Sequence, residues 1–149
     1  MFETLTLSQD ARGIARLTLN RPARHNALSA QLIAELTEAA ARLAAARDVR
    51  VVVLVAEGES FCAGGDLAWM KEQIEGGPDA RRTGAKALAG MLSALNTLPK
   101  PLIGRVQGPA YGGGLGLMSV CDACIGADHA RFGLTETKLG LIPATISPY

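Results

Sequence analysis

Two glycine-rich loops hold the residues of this 149-residue chain best suited to chemistry. The first reads Ser60-Phe61-Cys62-Ala63-Gly64-Gly65-Asp66-Leu67, the second Gly108-Pro109-Ala110-Tyr111-Gly112-Gly113-Gly114-Leu115-Gly116. Each follows an apolar, strand-like run and precedes a helical pattern, so each sets small residues at a helix start. The first N–H groups of a helix have no partner within it. With the helix dipole behind them, they stabilise a negatively charged oxygen. Glycine lets a ligand come close to that backbone. Two such amides from two loops can form an oxyanion hole, where one lost donor costs about 3–4 kcal/mol of transition-state stabilisation. One loop alone would be better explained as a tight turn for close helix packing; the pair favours the anion site.

Other chemistries fit less well. Gly112-Gly113-Gly114-Leu115-Gly116-Leu117 has Leu117 where the third glycine of a dinucleotide fingerprint belongs, and it lies after two helices. No Gly-Lys-Ser/Thr is present, so a phosphate-cradling P-loop is excluded. Cys121-Asp-Ala-Cys124 is a C-x-x-C, but zinc would need two further ligands and the only histidines are His25 and His129. Two small core-facing thiols at a helix end are the simpler expectation, and no metal is expected. Trp69 is expected to pack, or to line a pocket. Asp122 is expected to bond locally at its helix end.

The loops must be held by alternating strands and helices. Ile14 to Leu19 alternates as a half-buried strand and should pair with Thr4 to Ser8 across a turn at Asp10 to Gly13. Ser29 can cap a helix running to about Arg47, with Leu32, Ile33, Leu36, Ala40 and Leu43 inward and Glu35, Glu38 and Arg42 on other faces. Val51 to Val55 reads as a strand covered on both faces. A short helix over Leu67 to Ile74 is broken at Gly76-Gly77-Pro78. A longer helix over Asp79 to Leu98 is stopped by Pro99-Lys100-Pro101. Strand Leu102 to Val106, helix Gly114 to Val120, strand Ala123 to Gly126 and a turn or helix near Thr135 to Lys138 follow. The order predicts one α/β domain with right-handed crossovers. The stop at Ile146-Ser147-Pro148-Tyr149, without a natural terminator, reads as truncation inside a domain.

Hydrophobic residues make up 48% and charged residues 19%, which fits a soluble domain with a real core. A net charge of +1 gives no case for nucleic acid or an anionic membrane. No apolar run is long enough for a transmembrane helix. The absence of a leader pattern and the odd cysteine count lead us to expect a cytoplasmic protein.

The ordered motifs have a family likeness. Leu19-Asn20-Arg21-Pro22 with Asn26-Ala27-Leu28-Ser29, Phe61 to Leu67, and Gly112-Gly113-Gly114 followed by Cys121-Asp122 resemble the signatures of the enoyl-CoA hydratase/isomerase (crotonase) superfamily. Phe132-Gly133-Leu134-Thr135-Glu136 and Leu139-Gly140-Leu141-Ile142-Pro143 fit it as well. The resemblance spans the whole chain. It implies a crotonase-like spiral of ββα units over residues 1–149, truncated at the C-terminus, and a homo-oligomer (trimer or hexamer) when complete.

The resemblance also implies roles. The N–H groups of Gly65 and Gly113 would form the oxyanion hole, with Tyr111 and Gly112 beside the second donor. Backbone from Ala63 through Gly64, Asp66 and Leu67 to Ala68 would contact the adenine and pantetheine of an acyl-CoA. Arg24 would approach its phosphates. Of the family's two glutamates, the first falls at Gly116 and the second matches Glu136, which would act as acid and base. No separate cofactor is implied, since CoA belongs to the substrate. The implied reaction is water addition to a 2-enoyl-CoA; a Δ3,Δ2-enoyl-CoA isomerase using one glutamate and a non-catalytic acyl-CoA-binding fragment are the alternatives. The stretches around Trp69, Met118 and Ile142 to Tyr149 resemble members acting on methylglutaconyl-CoA or related branched glutaconyl-CoA. Gly116 would then remove a repelling charge and make room for a branched acid.

Overall fold

A computed structural model describes residues 1–149. The N-terminal hairpin pairs β1 (Leu5–Gln9) antiparallel with β2 (Ile14–Leu19), turning where Gly13 takes φ +80°. A short 3-10 turn at Pro22–Arg24 leads to α1 (Ala30–Ala45), capped by Ser29, whose hydroxyl accepts from the Leu32 amide at 3.2 Å. Then come β3 (Val51–Ala56), α2 (Leu67–Glu75), α3 (Gly77–Asn96) and β4 (Leu102–Val106). The chain continues through β5 (Ala110–Tyr111), α4 (Gly113–Ser119), β6 (Ala123–Gly126), β7 (Phe132–Gly133) and a 3-10 turn at Thr135–Leu139.

The main sheet has the order β1-β2-β3-β4-β6, parallel from β2 onward. The predicted α/β alternation is therefore present. The core lies between this sheet and the helices, where Leu17, Leu19, Leu32, Leu36, Leu54, Phe61, Met91, Leu92 and Leu95 are fully buried. No helix is long and apolar enough to cross a membrane.

Several expectations change. Helix α1 ends at Ala45, two residues early. Glu35 is not on a solvent face: it is buried and accepts from the Glu3 amide (2.8 Å), the Thr4 amide (2.9 Å), the Thr4 hydroxyl (2.6 Å) and Gln31 (2.8 Å). Burial pushes this carboxyl up, but those bonds outweigh it and hold it down at about 2. Strand β3 is fully covered on one face only, since Val51 and Val53 are half-buried. Cys124 is exposed on β6, an edge strand with no buried residue, so only Cys121 keeps part of the core-facing role. Asp122 does not bond locally; its carboxylate accepts from the Leu102 amide at 2.7 Å and anchors β6 beside β4. Exposed apolar side chains gather late in the chain at Ile125, Phe132, Leu134, Leu139, Leu141 and Ile142.

Candidate active site

The two glycine loops are built together. Phe61 N–H donates to Pro109 O (3.0 Å), and Tyr111 N–H donates to Cys62 O (2.9 Å). A parallel bridge joins Cys62 to Ala110. Gly64 has φ +93°, and a side-chain carbon on it would stand 2.9 Å from Tyr111 O, so this crossing admits only glycine. The first loop is also stitched to the segment before α1: Leu28 N–H donates to Gly64 O (2.7 Å), and Asp66 N–H donates to Leu28 O (3.0 Å).

Beneath this stitch lies a polar platform. Fully buried Asn26, with φ +53°, accepts from the Arg21 amide (2.8 Å) and donates to Glu57 O (2.8 Å) and Ser60 O (2.9 Å). Arg21 pairs with Asp66 at 2.9 Å. Asp66 also caps α2 by accepting from the Ala68 amide at 3.0 Å. Burial raises the Asp66 carboxyl, but the bonds from Arg21 and the cap amides outweigh it and keep it below the usual carboxylate range. Asp66 is thereby committed to the fold: besides its side chain, its N–H donates to Leu28 O and its carbonyl accepts from the Met70 amide at 2.9 Å.

These elements wall a cavity of about 290 Å³, at the small end for ligand sites. Of the sequence-predicted residues, Ala63, Gly64, Gly65, Leu67, Gly112, Gly113 and Glu136 line it. The N–H groups of Gly65 and Gly113 donate to no acceptor in the protein, unlike those of Leu28 and Asp66 beside them. The Glu136 carboxylate lies against Gly112: a carbon added there would be 3.0 Å from Glu136 Oε1. Glu136 Oε2 is buried and has no hydrogen-bond partner. Gly112, at φ +47°, donates to Gly133 O (3.0 Å), so strand β7 sets Glu136 and the second loop at once. Two free amides and one unpaired carboxylate oxygen thus share a small cavity. Such a set can stabilise an oxyanion and move a proton. Cys62 is no nucleophile here, because burial pushes its thiol up to about 12.

Other predicted residues lie elsewhere. Arg24, Asp66 and Ala68 line a separate shallow polar pocket with Arg21, Ser29 and Glu72. Tyr111 packs against Gly133 rather than lining the cavity. Gly116 makes no room for substrate: a side-chain carbon there would stand 2.5 Å from Ile146 Cγ2 and 3.5 Å from Leu92 Cδ1, so the protein fills that space itself. The sequence reading missed Leu28, Met70, Leu88, Thr135 and the stretch Leu141 to Ile146 as cavity wall. Leu28 had a visible signal, as the apolar residue just before the Ser29 cap.

The enoyl-CoA hydratase/isomerase family model matches residues 9–148. An enoyl-CoA hydratase of Alternaria alternata is 40% identical over 137 residues, covering 92% of this chain and 44% of its own. The crystal structure of an enoyl-CoA hydratase from Shewanella pealeana superposes with a TM-score of 0.96 at 38% identity, over 99% of this chain and 56% of that one. Pseudomonas aeruginosa AtuE gives a TM-score of 0.93 at 41% identity, over 98% and 56%. The fold is therefore the crotonase-like α/β fold, and the chain spans about half the length of the curated relatives it matches.

Proposed function

This chain belongs to the enoyl-CoA hydratase/isomerase family, and from that premise we propose that its cavity adds water to a 2-enoyl-CoA thioester. The supporting observation is the meeting of the Gly65 and Gly113 amides, both without acceptors, with the unpartnered Glu136 oxygen. In this reading the thioester oxygen accepts from both amides, which favour the negative charge it gains in the enolate. Glu136 takes a proton from water as the water oxygen bonds to C3. The proton is then returned to C2, giving a 3-hydroxyacyl-CoA. The backbone from Ala63 to Ala68, with Arg24 in the polar pocket alongside, carries the CoA moiety.

The lining beyond Glu136 is mainly apolar, with Leu67, Met70, Leu88, Leu139 and Ile142. This supports an uncharged acyl group over a methylglutaconyl-type one, whose second carboxylate would be desolvated near Glu136. The filling of the Gly116 space by Ile146 removes the room a branched acid would have used. That same apolar filling, facing a lone carboxylate, favours a second reading: Δ3,Δ2-isomerisation, with Glu136 carrying a proton between C2 and C4.

The test offers crotonyl-CoA, 3-methylglutaconyl-CoA and a 3-enoyl-CoA to the chain and to Glu136→Gln. Hydration predicts a 3-hydroxyacyl-CoA that the variant does not form. A shifted double bond without hydroxylation would replace hydration by isomerisation. Acyl-CoA binding without turnover of any substrate would overturn both.

A further inference from the structure

Trp69 is the one side chain shared by the walls of the reaction cavity and of a larger groove of about 860 Å³ between α1 and α3. On the cavity side it stands with Met70 and Leu88. On the far side the groove is lined mainly by small residues such as Ala34, Ala41, Gly84 and Ala87, with Thr37 and Glu38 along one edge. The indole is held in place. With the Gln73 side-chain oxygen turned toward it, the indole N–H donates at 3.2 Å, while the Gln73 nitrogen donates to Ala80 O at 2.5 Å. Gly84 leaves space for this arrangement: a side-chain carbon there would stand 3.2 Å from Trp69 Cζ2 and would strike the end of the Gln73 amide. A large, flat side chain locked by a hydrogen bond and a close glycine makes a rigid wall.

We infer that Trp69 sets the upper limit on acyl-chain length, closing the cavity to long chains that the groove behind it would otherwise take. This rests on the hydratase/isomerase reading of the cavity and adds a specificity-determining residue to it. An aliphatic tail is the chemistry that fits the Ala34, Ala41 and Ala87 side of the groove, where apolar contact suffices.

Because Trp69 is the only tryptophan, its emission reports on the wall directly. Saturated acyl-CoAs of increasing length should leave the emission as CoA alone does until the chain reaches the indole, and shift it from that length onward. The matching kinetic experiment compares kcat/KM for 2-enoyl-CoAs from four to sixteen carbons in the wild type, Trp69→Ala and Trp69→Leu. We expect the ratio of long-chain to four-carbon turnover to rise about tenfold or more in Trp69→Ala and less in Trp69→Leu. An unchanged ratio in folded variants overturns the inference, as does an emission blind to every acyl length. Wild-type protein that turns over no enoyl-CoA would count instead against the underlying reading, while the emission series still tests whether acyl chains reach Trp69.

Discussion

The two glycine loops reach one cavity through different kinds of support. The first is fixed by the early frame: the Leu28 stitch, the buried Asn26 and the Arg21–Asp66 pair. The second leans on the first through Cys62. Its other support is the two-residue pairing of β5 with β7, followed by a segment whose Leu134, Leu139 and Leu141 are exposed. One amide donor is thus part of the densely packed frame, whereas the other donor and Glu136 share a lightly packed region. Damage to the late region should therefore cost chemistry before stability, and damage to the early frame should cost stability first.

The sharpest trial is Glu136→Gln. Turnover should fall about 100- to 10,000-fold, the usual contribution of a placed acid–base group, while the melting temperature stays put. A fall in melting temperature of more than a few degrees would erase the contrast, because Glu136 would then be holding the fold.

In the early frame, Glu35 should dominate the acid response. Its carboxyl is depressed to about 2 in the folded protein from an ordinary 4.5. A depressed carboxyl contributes stability above the unfolded value and loses it as pH falls through the folded one. About 3 kcal/mol should disappear between roughly pH 4.5 and 2, and Glu35→Gln should flatten that part of the curve in urea titrations at stepped pH.

A matched pair probes the loops themselves. Gly64→Ala forces a side chain into the left-handed region and against Tyr111 O, so it should cost about 2 kcal/mol or more. Gly113→Ala meets only the end of Leu28, at 2.7 Å, which can rotate, so about 1 kcal/mol is expected. Equal losses in chemical denaturation would mean the loops are equally constrained. Ser29→Ala, which removes the α1 cap, should likewise cost about 1 kcal/mol in chemical denaturation.

Much of this frame could be read directly from the residues. The strand over Ile14–Leu19, the Ser29 cap and the strand over Leu102–Val106 carry strong local signals and are found where expected, although buried Thr18 makes Ile14–Leu19 more covered than a half-buried alternation predicts. Glu35 was misplaced because a carboxylate at helical spacing reads as solvated until the Glu3 and Thr4 amides fold over it. Strands β5 and β7 escaped notice because two residues have no period. The cavity residues on the glycine loops were legible from composition and motif. The filling of the Gly116 space was not, since Ile146 arrives from far along the chain.

Asn26 gives the molecule a chemical lifetime. Its side-chain nitrogen donates to two carbonyl oxygens, Glu57 O and Ser60 O, from a fully buried position. Hydrolysis of that amide would change no shape, yet it would leave a carboxylate oxygen facing two carbonyls, with nothing donated to them. Burial and a fixed backbone hold off the ring closure by which asparagines deamidate. The platform beneath the first glycine loop therefore ages only as fast as it opens.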